Sequence, residues 1–297
     1  MKHNLKITAL LLSMFIITQL IGIYVVNYYS PENITLPFGL DPPRPEQASD
    51  YASFFSGIVL AFIIAILLLF LFTKFKWKFI LKAWFFLVIV LALSISLIAI
   101  LPVKTVLITV AIAIPFAIIK MSGKSFLVHN LTELFIYPGI AAVFVPLLNM
   151  WTIIALLILI SVYDMWAVWH SGIMQKMAKY QINTLKVFSG FFVPYVSKKV
   201  RQQISRWKKT ISPSQLKKKK IKVNVAILGG GDVVFPIITS GVMLKTLGLV
   251  PAFLVVLGAT LGLTYLFFAA EKKKFYPAMP FITAGILIGI LVSYLVF

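Results

Sequence analysis

Long apolar runs, separated by short polar or basic gaps, recur along the whole chain. Each run has about the length that a helix needs to cross roughly 30 Å of hydrocarbon, which is about 20 residues. The runs predict nine membrane-spanning helices, at about 7–27, 53–73, 79–101, 103–120, 126–149, 151–170, 222–244, 248–269 and 276–297. We therefore predict an all-α membrane protein in which residues 1–297 form a single membrane-embedded domain.

The composition of the chain supports this interpretation. Hydrophobic residues make up 61% of the 297 residues and charged residues 12%, and the mean hydropathy is +1.00. A soluble domain has about 45–50% apolar and about 25% charged residues. The chain contains no cysteine, which excludes disulfides, cysteine-ligated zinc and thiol nucleophiles.

The basic residues fall mainly on one side of the predicted spans. When the gaps are numbered alternately, 25 of the 28 Lys and Arg residues lie on one side, and only Arg44, Lys104 and Lys245 lie on the other. The positive-inside rule then places the N-terminus in the cytoplasm and Phe297 outside, which we expect to be across the cell membrane. The net charge of +20 thus reflects topology, and we expect no nucleic-acid partner.

Two gaps are long. Residues 28–52 carry five prolines and four acidic residues, which predicts an irregular external loop. Residues 171–221 form the predicted basic cytoplasmic loop, which also carries aromatic residues: Phe188, Phe191, Phe192, Tyr195 and Trp207. Two interpretations of this loop stay open, a solvated segment that anchors topology or a surface that lies on an anionic leaflet.

Three of the eight acidic residues fall inside predicted spans: Glu133, Asp164 and Asp232. Each costs about 2.5–3.5 kcal/mol to place near the centre of a membrane helix, so such residues are functional candidates. Asp164 lies six residues before His170 and Asp232 lies ten residues after Lys222, at overlapping depths from the same membrane surface. Two neighbouring antiparallel helices can therefore bring these two carboxyls face to face.

Such a pair has a defined chemistry. Two carboxyls about 3 Å apart share one proton and titrate as a coupled pair. The ionised member can take a proton from a water molecule that attacks a peptide carbonyl, and the protonated member can donate to the developing oxyanion and then assist departure of the amine. Asp164 and Asp232 are therefore predicted to be catalytic, with no metal and no cofactor required.

Three glycines precede the second aspartate. Gly229, Gly230 and Gly231 remove side chains over nearly one turn of the predicted seventh span, at up to about 1 kcal/mol each in helix stability. Bare backbone permits close approach of another helix or of a substrate chain. Tight packing of another helix and room for a substrate chain are both compatible with this glycine run.

Three motifs together resemble the signatures of a known family. Tyr163-Asp164 in the sixth span, Gly229-Gly230-Gly231-Asp232 in the seventh and Pro277-Ala278-Met279-Pro280 at the start of the ninth resemble the YD, GxGD and PAL motifs of the presenilin and signal peptide peptidase family. Met279 stands where the family motif has Leu, a change between apolar residues of similar volume. The match extends to the order, spacing and span number of the motifs.

The resemblance implies a nine-span intramembrane aspartyl endopeptidase that cleaves within transmembrane segments of other proteins. Its partners would be membrane-spanning proteins or peptides and the bilayer itself. It implies that Asp164 and Asp232 form the catalytic dyad and that Pro277, Ala278 and Met279 support it. Tyr163 could orient a dyad carboxyl, although on a helix it points about 100° away from its neighbour. The predicted orientation is similar to that of presenilin.

Other classes of site are possible alternatives. An ion or proton transporter also uses intramembrane carboxylates, usually with broken helices in repeated halves, but the first five spans have no counterpart of the glycine run. His129 and Glu133 are four residues apart and could ligate a metal, yet a hydrogen-bonded structural pair is the favoured interpretation. The Ser-Gly pairs lack the leading glycine of a GxSG serine site.

Overall fold

The structure, a computed structural model, describes residues 5–31, 34–43, 45–75, 77–102, 105–123, 125–171, 188–195, 224–271 and 276–297. These residues form nine α-helices and one two-stranded antiparallel sheet. The helices are α1 (Leu5–Tyr28), α2 (Ala48–Lys74), α3 (Lys78–Ile100), α4 (Val106–Ser122), α5 (Phe126–Phe144), α6 (Met150–Met165), α7 (Gly230–Leu247), α8 (Leu249–Ala269) and α9 (Met279–Val296). The strands are β1 (Gly190–Tyr195) and β2 (Asn224–Gly229).

The predicted all-α membrane fold is confirmed, and eight of the nine spans match helices to within a few residues. Seven helices are long and apolar enough to cross a membrane by length and composition. The other two are α4, with 17 residues, and α7, which begins at Gly230. Several helix ends have a clear local cause, such as Asn149, whose side chain exchanges hydrogen bonds with Thr152 in a capping box before α6.

The predicted start of the seventh span is wrong. The span was expected at about 222, but residues Asn224–Gly229 form strand β2, and helix α7 begins only at Gly230. Side chains along β2 alternate between the core and the outside: Ala226 and Leu228 are buried, whereas Val225 and Ile227 are exposed. The sheet places Asp232 in the first turn of α7 and not two turns inside a helix.

The predicted basic loop also contains a strand. Strand β1 pairs antiparallel with β2, with Gly190 opposite Gly229 and Tyr195 opposite Asn224. Phe191 is fully buried and packs edge to face against Tyr137 of α5, with ring centroids 5.9 Å apart. Both interpretations of this segment, a solvated anchor or a leaflet surface, are therefore wrong for Phe191, which belongs to the protein core. Trp207 lies outside the described residues.

The main core lies between α1, α5, α6, α7, α8, α9 and the two-stranded sheet of β1 and β2, which we call the hairpin. Helices α8 and α9 make the closest pair, because each carries two glycines four residues apart: Gly258 and Gly262 on α8, and Gly285 and Gly289 on α9. A Cβ built on Gly285 would lie 2.1 Å from the carbonyl oxygen of Gly258, and the reverse distance is also 2.1 Å. This small-residue seam lets the two backbones touch. The seam holds α9 in place against α8. The first turn of α9 reaches the candidate active site.

Candidate active site

Asp164 lies in the last turn of α6, just before the helix continues as a wider π-helical turn over Trp166–His170. Its side chain is 6% exposed. The backbone N–H of Met279, the first residue of α9, donates a hydrogen bond to Asp164 Oδ2 at 3.1 Å. The first N–H groups of a helix have no partner within the helix. The Asp164 carboxyl therefore caps the start of α9.

Asp232 lies on the neighbouring helix, in the first turn of α7, and is 8% exposed. Gly229 is the N-cap residue of α7, and its backbone N–H donates a hydrogen bond to the Asp232 carboxyl. This contact is the acidic half of a capping box, in which the third helical residue reaches back to the N-cap N–H. The Asp164 and Asp232 carboxyls are close enough to interact electrostatically. The structure thus brings the two predicted aspartates together.

Both carboxyls lie against the N-terminus of a helix. Asp164 receives the first N–H of α9, and Asp232 lies in the first turn of α7. Free N–H groups and the helix dipole stabilise negative charge at these positions. Helices α6, α7 and α9 pack on one another around the pair. This arrangement can hold one ionised and one protonated carboxyl away from bulk water, which is the state that an aspartyl dyad needs.

The three glycines before Asp232 have different surroundings. A Cβ on Gly230 would lie 2.8 Å from Ser189 Oγ and 2.9 Å from Tyr137 Oη, so this position is enclosed by protein. A Cβ on Gly229 would lie 3.1 Å from Asp232 Oδ2. At Gly231 the nearest atom would be a ring carbon of Phe235 at 3.8 Å, an ordinary contact. Close approach by another part of the protein, as predicted for this run, therefore fits Gly230 best. At Gly231 there is space beside the backbone for a further group.

The other predicted site residues lie around the pair at different distances. Pro277 and Ala278 precede α9, and Ala278 is its N-cap residue, so this segment delivers the Met279 N–H to Asp164. Tyr163 is half-buried, and its ring packs edge to face against Phe62 of α2, with centroids 5.8 Å apart. Its ring also lies 6.3 Å from that of Trp166. Tyr163 therefore packs between helices, and it also lies close enough to Asp164 to interact with it electrostatically.

Neutral polar residues that sequence reasoning missed hold the helices of the site together. Ser161, three residues before Asp164, donates its hydroxyl to Thr283 of α9 at 2.8 Å, and both are buried. Gln19 of α1 is fully buried and donates to the carbonyl of Val233, the residue after Asp232, at 3.0 Å. The only signal in the sequence is a polar residue within an apolar run, which is too common in membrane helices to single out these positions.

Glu133 has a partner that the sequence did not indicate. Lys120, predicted to mark the cytoplasmic surface, is 4% exposed and forms an ion pair with Glu133, which is fully buried. His129 Nε2 lies 3.5 Å from Glu133 Oε1, which agrees with the predicted structural pair. Among the described residues, no three His, Cys, Asp or Glu side chains form a group that could hold a metal ion.

Comparison with known proteins connects this geometry to a family. A family model described as "Signal-peptide peptidase, presenilin aspartyl protease" matches residues 12–297. The fold is similar to that of a solved presenilin family intramembrane aspartate protease in a P2 crystal form, with a TM-score of 0.58 and 19% identity over 97% of each chain. A C222 crystal form of such a protease gives a TM-score of 0.56 and 18% identity, covering 98% of this chain and 99% of the other. No curated protein matches the chain in sequence.

Proposed function

Because the chain belongs to the signal-peptide peptidase and presenilin aspartyl protease family, we propose that Asp164 and Asp232 are the catalytic pair of this intramembrane protease. The observation that carries the proposal is that these two buried carboxyls interact across α6 and α7, each against a helix N-terminus. The protein is an integral, multi-pass membrane hydrolase that acts on membrane-embedded substrates.

In the proposed mechanism, the ionised carboxyl takes a proton from a water molecule between the pair. The resulting nucleophile attacks the scissile carbonyl, and the protonated carboxyl donates to the developing oxyanion. The tetrahedral intermediate then collapses as the amine leaves with a proton from the pair. Met279 N–H and Gly229 N–H hold the two carboxyls in place through these steps. Ala278 and Pro277 act by positioning α9.

The proposal predicts a characteristic pH profile and inhibitor response for cleavage of a membrane-spanning peptide by the purified protein in detergent. Activity should follow a bell-shaped curve, since one carboxyl must be ionised and the other protonated. Compounds with a hydroxyl at the scissile position should inhibit, since they mimic the transition state.

EDTA should leave the rate unchanged, since His129 and Glu133 are engaged with Lys120 and the backbone of Gly190. Loss of activity in EDTA, restored by zinc, would contradict a metal-independent dyad and favour a metal site at these residues.

Substrate entry raises a separate physical problem. A helical substrate hides its carbonyls in hydrogen bonds, so the scissile segment must unwind before water can attack. Each unsatisfied backbone group in hydrocarbon costs several kcal/mol, so the extended segment needs new partners. We propose that strand β2 supplies them by accepting the substrate as an added strand.

The edge of β2 supports this proposal. The backbone groups of Gly190 and Phe192 face α5, so their partners Gly229 and Ile227 turn their own groups away from β1, as antiparallel geometry requires. Within the ranges that the structure describes, the sheet has only these two strands. Strand β2 therefore offers its outer edge directly before the glycine run and Asp232.

Cleavage should become faster as the substrate span becomes easier to unwind. We expect one Ala→Gly change near the scissile bond to speed cleavage about fivefold, because glycine lowers helix stability by about 1 kcal/mol. The same change at the far end of the substrate span is the matched control and should have little effect. Rates that do not vary with local helix propensity, measured with substrates that bind equally, would rule out unwinding as a limiting step.

The orientation of the protein in its membrane also belongs to the proposal. We infer a cytoplasmic N-terminus and an external C-terminus in the cell membrane, with the hairpin and the loop at 171–221 on the cytoplasmic side. The distribution of 25 of the 28 basic residues on one side supports this orientation. It would favour substrates whose own N-terminus lies outside.

A further inference from the structure

Side chains of α5 hold the backbone of strand β1. The backbone N–H of Gly190 donates to Glu133 Oε1 at 3.1 Å, and the Gly190 carbonyl accepts from His129 Nε2 at 2.9 Å. Asn130 binds both backbone groups of Phe192: its Nδ2 donates to the carbonyl at 2.8 Å, and its Oδ1 accepts from the N–H at 3.1 Å. Four backbone groups of β1 are therefore satisfied by three side chains of one helix face.

These contacts close one edge of the hairpin. Gly190 and Phe192 are two residues apart, so their backbone groups point to the same edge of the strand, opposite to β2. The next residue on that edge is Pro194, which has no N–H to offer a further strand. The α5 side chains thus occupy the edge of β1 where another strand could pair, and within the described part of the chain the unpaired edge of the sheet is that of β2.

The charge of Glu133 is compensated within the same cluster. Lys120 contacts the Glu133 carboxylate, and Lys120 Nζ lies 3.5 Å from His129 Nδ1. Because His129 Nε2 faces a carbonyl, that nitrogen carries the proton and Nδ1 accepts from Lys120. Removing one member of a buried ion pair leaves the other charge without compensation, which is strongly destabilising. A cluster of this kind fixes a single position for the groups that it holds.

Gly190, whose backbone is bound by α5, is connected to the active site through the sheet. Gly190 is paired with Gly229, the N-cap residue of the helix that carries Asp232. Gly190 has a φ of +140°, and a Cβ there would lie 2.4 Å from the Leu228 carbonyl, so this pairing does not admit a side chain. A shift of β1 by one residue would turn every side chain of the strand to the other face. The contacts of α5 therefore hold the strand that pairs with β2 up to the N-cap residue of α7.

From this arrangement we propose that Asn130 and Glu133 are positioning residues that set which peptide bond of the substrate reaches the dyad. The inference rests on the proposed roles of Asp164, Asp232 and the edge of β2. The position of a substrate strand that pairs with β2 is set by the position of β2. The position of β2 is in turn set by its pairing with β1. When the contacts that hold β1 are lost, the substrate can pair in more than one register.

The experiment measures the products of a membrane-spanning peptide by mass spectrometry for the purified full-length protein and its variants. Asn130→Leu keeps the number and branching of the side-chain heavy atoms but removes both hydrogen bonds to Phe192. We expect the ratio of the major product to its neighbours to fall about tenfold, the size expected when such hydrogen bonds no longer select one register. Hydrogen exchange in a peptide covering residues 188–195 should become faster in parallel.

Two further variants distinguish positioning from general stability. Glu133→Gln leaves Lys120 without its charge partner, whereas the double variant Lys120→Met with Glu133→Gln removes both charges and should restore part of the product ratio. Ser96→Ala is the matched control, because Ser96 is buried and its hydroxyl donates to the carbonyl of Phe135 on α5 and not to the backbone of β1. It should leave the ratio unchanged.

The outcomes separate this inference from the proposed function. A destabilised enzyme contains fewer active molecules, so its products form more slowly in an unchanged ratio. That result for Asn130→Leu, together with an inactive Asp232→Asn variant, would overturn the positioning role and leave the catalytic pair intact. Continued cleavage by Asp232→Asn would instead refute the proposed function. If Glu133→Gln does not fold, the product ratio of Asn130→Leu alone tests the positioning role.

Discussion

Replacing either Asp164 or Asp232 by Asn should reduce cleavage of a membrane-spanning peptide by about a thousandfold or more. An amide has nearly the same shape as the carboxyl but can neither act as the base nor supply the acidic proton, and general acid-base catalysis contributes about 10²- to 10⁴-fold for each group. The hydrogen bonds from Met279 N–H and Gly229 N–H can still be accepted by the amide oxygen. Cleavage rates and thermal unfolding should be measured for the purified variants together.

The control for this pair is Asp41→Asn in the segment between α1 and α2. Asp41 accepts a hydrogen bond from the Leu36 N–H at 2.7 Å, so it is also a carboxyl that receives a backbone N–H, but outside the membrane helices. This variant should cleave at the normal rate. Normal turnover by Asp164→Asn or Asp232→Asn would remove that residue from the mechanism.

The second large effect is expected at the seam between α8 and α9. Gly285→Val should lower the free energy of unfolding by about 3 kcal/mol, at the upper part of the range for overpacked cores, because the new Cβ would meet the backbone of Gly258 at 2.1 Å. No side-chain rotation can relieve a clash with backbone. Activity should fall as well, since α9 carries the Met279 N–H that holds Asp164. Chemical unfolding in detergent and cleavage rate measure the two effects.

Ala284→Val is the matched variant for this seam. Ala284 neighbours Gly285 on α9, and its side chain is exposed on the outer surface of the helix. The two methyl carbons that this change adds at an exposed position should therefore change neither stability nor activity appreciably. If Gly285→Val unfolded like the native protein, the close contact of α8 and α9 would not contribute to the fold.

The sequence predicts the helical part of the fold well, because uninterrupted apolar runs of about 20 residues are typical of membrane helices and rare in soluble proteins. It also singles out three acidic residues as functional candidates, since a buried carboxyl in hydrocarbon is costly enough to be rare. Asp164 and Asp232 lie on adjacent helices, although the predicted depth of Asp232 assumed a helix from about 222 and the helix begins at Gly230. Met279 lies against Asp164 through its backbone N–H, a contact that depends on where α9 begins and not on the identity of its side chain.

The hairpin could not be predicted from the same reasoning. Residues Asn224–Leu228 form a short, mainly apolar run beside the glycines, and such a run does not distinguish a strand from the start of a buried helix. The alternation of buried and exposed positions along β2 is hidden when nearly every residue is apolar. Strand β1 was missed because its paired residues lie 29 to 39 positions away in the chain, beyond the reach of local patterns.

The ion pair of Lys120 with Glu133 illustrates a different limit. A lysine next to a short gap is typical of a charge that marks the cytoplasmic surface. The pair forms between two helices, α4 and α5, so no helical spacing connects its members. Only the packing of the two helices shows that Lys120 is buried and that Glu133, its partner, also binds the backbone of strand β1 at Gly190.

The central claim, that Asp164 and Asp232 act as one unit, is tested most directly by comparing the residual cleavage rates of Asp164→Asn, Asp232→Asn and the double variant. Residues that act together show grossly non-additive losses. The account predicts that the cleavage rate of each single variant falls to nearly that of the double variant. All three variants should lose the same cleavage products that the native protein forms. Losses that multiply, or a single variant that keeps substantial activity, would show that the two carboxyls do not form a catalytic pair.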